Sequence, residues 1–198
     1  ELRRHPEMSL PAEPQALIDE LTRLSERFAE LVLPLSSAQF HWQPDPGRAW
    51  SVGQCVDHLQ RTNRLYTAAL SVAAEKGRAA GRSGHGTLRP NLLGRWFQGM
   101  VEPPARFKVP VPVRALVPHG EGSPGTTWSD FLASQDAVGQ LLRESCDLDL
   151  EAIRFRNPVA RDLQLFNLAT GFLLIAAHER RHLAQARRVR EHANFPSR

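Results

Sequence analysis

Apolar residues recur at spacings of three and four in four stretches of the chain, and each stretch predicts a helix with one buried face. Leu17, Leu21, Leu24, Phe28 and Leu31 set the first between about Pro14 and Val32. Pro14 suits its first turn, and Pro34 ends it. The second starts at Ser51-Val52-Gly53-Gln54, where Ser51 can cap the backbone and Gln54 can reciprocate. Val52, Val56, Leu59, Tyr66 and Leu70 form its stripe, bordered by Cys55, His58, Thr62, Leu65 and Ala69. Trp50, just before the cap, is placed to pack over the first turn. A third helix opens at Thr127-Trp128-Ser129-Asp130, again a capping-box pattern, with Phe131, Gln135, Val138, Leu141, Leu142 and Ser145 inward. The fourth is expected from about Leu163 to His192, with Leu165, Leu168, Phe172, Ile175, Ala176, Leu183 and Ala186 on its core side.

The segments between these helices differ in kind. Pro44, Pro46 and Gly47 make Ser36 to Trp50 read as turns rather than a regular element. From about Gly77 to Thr127 the chain is rich in Gly and Pro, so a long helix or central strand is excluded there. Trp96, Phe97, Phe107, Val109 and Val111 make it too apolar for a solvated linker, and it reads as a crossover draped over the core with a short helix at Leu92 to Met100. Residues Asp149 to Asp162 form a connection broken at Asn157-Pro158. The expected fold is all-α, a four-helix bundle in a single domain spanning 1–198, with a long Pro/Gly-rich crossover at about 77–127 between the second and third helices.

Composition narrows the class without choosing a function. With 41% hydrophobic and 23% charged residues the chain is ordinary for a globular domain. A net charge of +4 raises the question of nucleic acid, but Lys and Arg are dispersed until Arg180, Arg181, Arg187, Arg188 and Arg190. Such a run usually makes a solvated helix face, and nucleic acid is not the expected partner. Two cysteines, Cys55 and Cys146, without a Cys-x-x-Cys pair, argue against a disulfide framework or a thiolate zinc site. No stretch reaches membrane-spanning length and the start has no apolar signal core, so a cytoplasmic location with no membrane partner is expected.

The candidate chemistry sits in Leu173-Leu174-Ile175-Ala176-Ala177-His178-Glu179-Arg180-Arg181-His182-Leu183. Two histidines at i, i+4 on a helix are roughly 40° apart around the axis and about 6 Å along it, so both imidazoles can face one object. That object is either a divalent metal or, in the plainer reading, solvent. Two ligands make a weak site, and His58 on the second helix is the candidate third; alone it reads more readily as a hydrogen-bonded core histidine than as a ligand. Three imidazoles would suit zinc, nickel, iron or manganese and leave positions for water or substrate. His41, His85 and His119 stand alone in loops. Cys55, three residues before His58, is a possible further ligand or a small core residue.

His178-Glu179-Arg180-Arg181-His182 also matches H-E-x-x-H, the zinc metalloprotease string in which the Glu is general base. The chain after His182 lacks the Gly and third His of the extended form, and nothing upstream reads as an edge strand to align a peptide. Glu179 remains the candidate proton-transfer group, its alternative being an exposed helix residue.

Two blocks, Trp50-Ser51-Val52-Gly53-Gln54-Cys55-Val56-Asp57-His58-Leu59 and Ala177-His178-Glu179-Arg180-Arg181-His182-Leu183-Ala184-Gln185, resemble the DinB-like superfamily of metal-dependent bundles, in the group with a Trp-Ser entry to the second helix. The Phe107-Lys108-Val109-Pro110 stretch is similar to what precedes the third helix in that group. The resemblance implies that His58, His178 and His182 form a metal triad, with His58 facing the pair on the fourth helix. It also implies a choice of chemistry: thiol S-transfer or isomerisation with a low-molecular-weight thiol, or hydrolysis with Glu179 or a chain of waters moving protons. A non-catalytic stress-response or metal-dependent binding protein is the alternative class. The expected partners are a small-molecule substrate or thiol and a second copy in a homodimer.

Overall fold

The computed structural model describes residues 10–104, 113–120 and 122–197; the Phe107 to Pro110 stretch lies outside them. The elements run in the order α1 (Ala12–Val32), α2 (Ser37–His41), α3 (Val52–Ala79), α4 (Leu92–Val101), a 3-10 turn (Arg114–Leu116), α5 (Pro124–Glu144), β1 (Arg154–Asn157), β2 (Leu163–Asn167) and α6 (Leu168–Arg190). Helices α1, α3, α5 and α6 are the four-helix bundle. Each of α1 and α3 packs against both α5 and α6, so α1 and α3 stand at opposite corners. The first and second long helices, α1 and α3, are therefore diagonal, as are α5 and α6, while α3 and α5 are direct neighbours.

Four expectations need correction. The stretch after Pro34 is not turns alone: Ser36 accepts from the Gln39 backbone and Gln39 reciprocates, a complete capping box that starts α2 before the prolines intervene. Helix α5 begins at Pro124, not Thr127, because Ser123 caps it and proline fits the first turn. The expected connection to α6 is an antiparallel hairpin, with Phe155 opposite Phe166 and Asn157 opposite Leu163. Leu165 consequently lies on a strand, 38% exposed, and is not part of the core. Asn167 ends the strand and caps α6, its side chain accepting from the Thr170 backbone. A capping Asn inside an otherwise continuous apolar run is what hid the boundary.

The bundle interior is divided into two apolar clusters. One gathers Leu17, Leu21, Tyr66, Leu70, Val138, Leu142, Phe172 and Ile175 with the buried face of the hairpin. The other gathers Leu24, Phe28, Val52, Val56, Leu59, Phe131, Leu183 and Ala186. Phe28 and Phe131, both fully buried, meet edge to face at 5.4 Å. Close approach of α3 and α6 depends on Gly171, since a Cβ there would collide with the Leu70 side chain. Between the clusters runs a polar layer built from Asn63, Ser134, Gln135 and Glu179, all buried. Polar groups at this depth require internal partners, and the candidate histidines lie at the same level of α6.

Candidate metal centre

Ser51 starts α3 with the expected capping box, its side chain accepting from Gln54 and the Gln54 side chain accepting from the Ser51 backbone. Two turns later, His58 points into the bundle and is 5% exposed. His178 and His182 reach toward it from the middle of α6. The His58 and His178 Nε2 atoms lie 3.3 Å apart, and those of His178 and His182 lie 3.1 Å apart. Among the described residues, these three side chains present ligand atoms all within 4.8 Å of one another. Nitrogens bound to one cation at about 2.1 Å are separated by about 3.0 to 3.4 Å in octahedral or tetrahedral arrangements, so the spacing fits a shared ion.

Proton positions point the same way. His58 Nδ1 is 2.7 Å from the Leu116 carbonyl oxygen. A carbonyl only accepts, so Nδ1 carries the proton and Nε2 presents a bare lone pair to its neighbours. Two nitrogen-nitrogen contacts meet at His178 Nε2, and one proton does not serve both well; a cation does.

All three rings are held neutral. Burial pushes His178 down to about 3, with help from the neighbouring His58 and from Arg181. His182 is held well below its usual value by burial first, then by the other two imidazoles and Arg181. Burial also lowers His58, against the opposing pull of the Leu116 carbonyl and Asp57. Neutral imidazoles need no deprotonation before they act as ligands.

Trp50 occupies a place that the sequence reading did not foresee. Its ring lies over the histidines, stacked on His182 at 5.6 Å and 18° and tilted against His58 at 4.8 Å. Gln43 supports that loop by donating to the Ala49 carbonyl and to Gln54. Leu116 was missed for a plain reason: its contribution is a backbone carbonyl, which any residue supplies.

Glu179 is neither an exposed helix residue nor a free base. It is fully buried, and its two oxygens accept from Asn63 and Gln135, each at 2.8 Å. Gln135 also donates to Ser25, so the carboxyl ties α3, α5 and α6 together with α1 close by. Burial pushes its pKa up to about 8, against the two amide donors and Arg180, which pull it down. With no solvent access and both oxygens engaged, it is not arranged as the general base of an H-E-x-x-H protease. Arg180 next to it bridges Glu20 of α1 and Glu102 at the end of α4. Arg181 reaches the Met100 carbonyl and stands at the partly open side near His178.

The remaining candidates lie apart from the triad. His41 packs edge-on against Phe40, while His85 and His119 are exposed. Cys55 is fully enclosed in the apolar cluster, and burial pushes its thiol up to about 12.

Fold and site together define a helical bundle with a three-histidine cluster between two of its helices. A sequence profile of the DinB superfamily matches residues 20–186, and the chain belongs to that superfamily. The solved structure of YfiT from Bacillus subtilis, described as a probable metal-dependent hydrolase with an unusual four-helix bundle topology, is similar in fold. It superimposes with a TM-score of 0.60 at 15% identity, over 98% of this chain and 95% of that one. No curated protein matches the sequence. Among the described residues no helix is long and apolar enough to cross a membrane.

Proposed function

We propose that this protein is a metal-dependent enzyme of the hydrolase type, with His58, His178 and His182 holding a divalent cation through their Nε2 atoms. The observation that carries the reading is the convergence of three neutral imidazoles whose mutual contacts no set of protons satisfies well. A divalent cation held there supplies Lewis acidity, which makes a coordinated water or thiol a nucleophile near neutral pH. The chain's own residues do the rest of the positioning. Leu116 holds His58 in the tautomer that leaves Nε2 available, and Trp50 covers one side of His58 and His182. Glu179 is assigned to the bundle's internal scaffold, and proton transfer to solvent reached from the His178 side. Hydrolysis is favoured over thiol S-transfer by the similarity in fold to YfiT, a probable metal-dependent hydrolase.

The test begins with metal analysis of the purified protein and titration of the metal-free form with zinc, nickel, manganese and ferrous iron. One equivalent is expected, with affinity reduced at least about 100-fold in His182→Ala, since loss of a ligand exceeds the effect of losing an outer partner. Hydrolysis of activated esters and amides is then compared with thiol transfer from low-molecular-weight thiols to electrophiles. Absence of stoichiometric metal after reconstitution would sink the metal reading; thiol transfer without hydrolysis would reassign the reaction.

A further inference from the structure

Beside the histidine centre, on the outer side of α3, lies a cavity of about 550 Å³ that the proposed chemistry does not use. Its walls are a stripe of α3, the segment around the 3-10 turn and the first turn of α5. The volume falls in the range of small-molecule sites, about 300 to 1,000 Å³. Leu65, Ala68 and Leu116 provide an apolar wall. Leu116 belongs to both sites, because it lines the cavity while its carbonyl holds His58.

The polar groups on the walls decide what fits. Formal charges nearly cancel, since Arg61 pairs with Asp57 and Arg64 with Asp130. Hydrogen-bonding capacity does not cancel. Asp57 is saturated: it accepts from Arg61 Nε, from the Gln60 side chain and from the His119 backbone. Arg61 uses only its Nε on Asp57, and Arg64 only one terminal nitrogen on Asp130, among the described residues. Both guanidinium groups therefore keep unused donors at the cavity, in the planar arrangement that suits a carboxylate or sulfonate. The first turn of α5 adds the positive end of a 21-residue helix through Thr126 and Thr127.

We infer that this cavity binds a small organic acid, its apolar body against Leu65, Ala68 and Leu116 and its acidic group on Arg61 and Arg64. The site adjoins the histidine centre through Leu116, and its test does not depend on what that centre catalyses. The probe is 4-phenylbutyrate, titrated calorimetrically into the full chain with and without bound zinc, with neutral 4-phenylbutanamide as its control. Saturable one-to-one binding is expected, about tenfold or more weaker for the amide and for Arg61→Gln, the loss of one charge-assisted contact. Ala68→Trp, at an exposed position, fills the cavity and is expected to abolish binding while helicity and zinc stoichiometry stay unchanged. Binding that survives Ala68→Trp, binding that requires zinc, equal affinity for acid and amide, or no saturable binding would each overturn the assignment.

Discussion

His178 and Glu179 are sequence neighbours on α6, and they enter opposite environments. The Glu179 side has a donor for each carboxylate oxygen, supplied by Asn63 and Gln135 from two other helices. On the His178 side three imidazoles crowd together, and their Nε2 atoms meet at 3.1 and 3.3 Å with no arrangement of protons that serves both contacts. Both oxygens of Glu179 are met from within the protein, with only the Oδ1 of Asn63 left over beside them; the three converging Nε2 atoms are met only with something added. A satisfied buried network contributes to a unique fold, whereas unsatisfied convergent donors mark a place held ready for a ligand.

The largest expected effect lies on the satisfied side. Glu179→Ala strands two buried amides and should destabilise the protein by about 3 kcal/mol, as measured by denaturant unfolding. A loss under about 1 kcal/mol would mean that Glu179 is not the tie that its hydrogen bonds describe.

Of the same order is the dependence on pH. Glu179 is raised from 4.5 to about 8, so the folded state holds its proton more tightly than the unfolded chain does. Its contribution is fully present below about pH 4.5 and is lost as pH rises through about 8, at most about 1.4 kcal/mol per pH unit. His178, lowered from 6.5 to about 3, has the opposite sign: its contribution is present above 6.5 and is lost on acidification. The stability difference between wild type and Glu179→Gln, both metal-free, isolates the glutamate. That difference should shrink steadily from pH 5 to pH 8, and a flat difference would contradict the assignment.

The smallest effect is opposite in sign to the first. Without metal, His182→Leu removes a buried imidazole from an unsatisfied cluster and should be neutral or stabilising by about 1 kcal/mol. The same substitution should cost the stabilisation that zinc gives the wild type. Thermal melts with and without zinc read both. A marked loss of stability in the metal-free variant would show the histidines to be structural, and would erase the contrast with Glu179.

Periodicity and caps made the bundle legible in advance. The spacing of Leu17 through Leu31, and the Ser51-Gln54 capping box, are local signals that carry directly into α1 and α3. The hairpin was hidden because Leu165, Leu168 and Phe172 mimic a helical stripe across a strand boundary, and only the Asn167 cap separates the two. The burial of Glu179 was hidden for another reason. The H-E-x-x-H string names residue types and spacing, but the Asn63 and Gln135 amides that claim the carboxyl are 116 and 44 residues away in the chain.

By itself the sequence determined that the chain forms four bundle helices, the superfamily, and the placing of His178 and His182 on one helical face, since an i, i+4 spacing fixes direction locally. The tertiary structure decided what those residues meet. Packing of α3 against α6 brings His58 within 3.3 Å of His178, Trp50 closes over the rings, and the Leu116 carbonyl orients His58. It also turns Glu179 into the bundle, where burial holds its carboxyl near pH 8. Ligand geometry and the pKa of a buried group depend on neighbours distant in the chain, and those neighbours are set only when the helices pack.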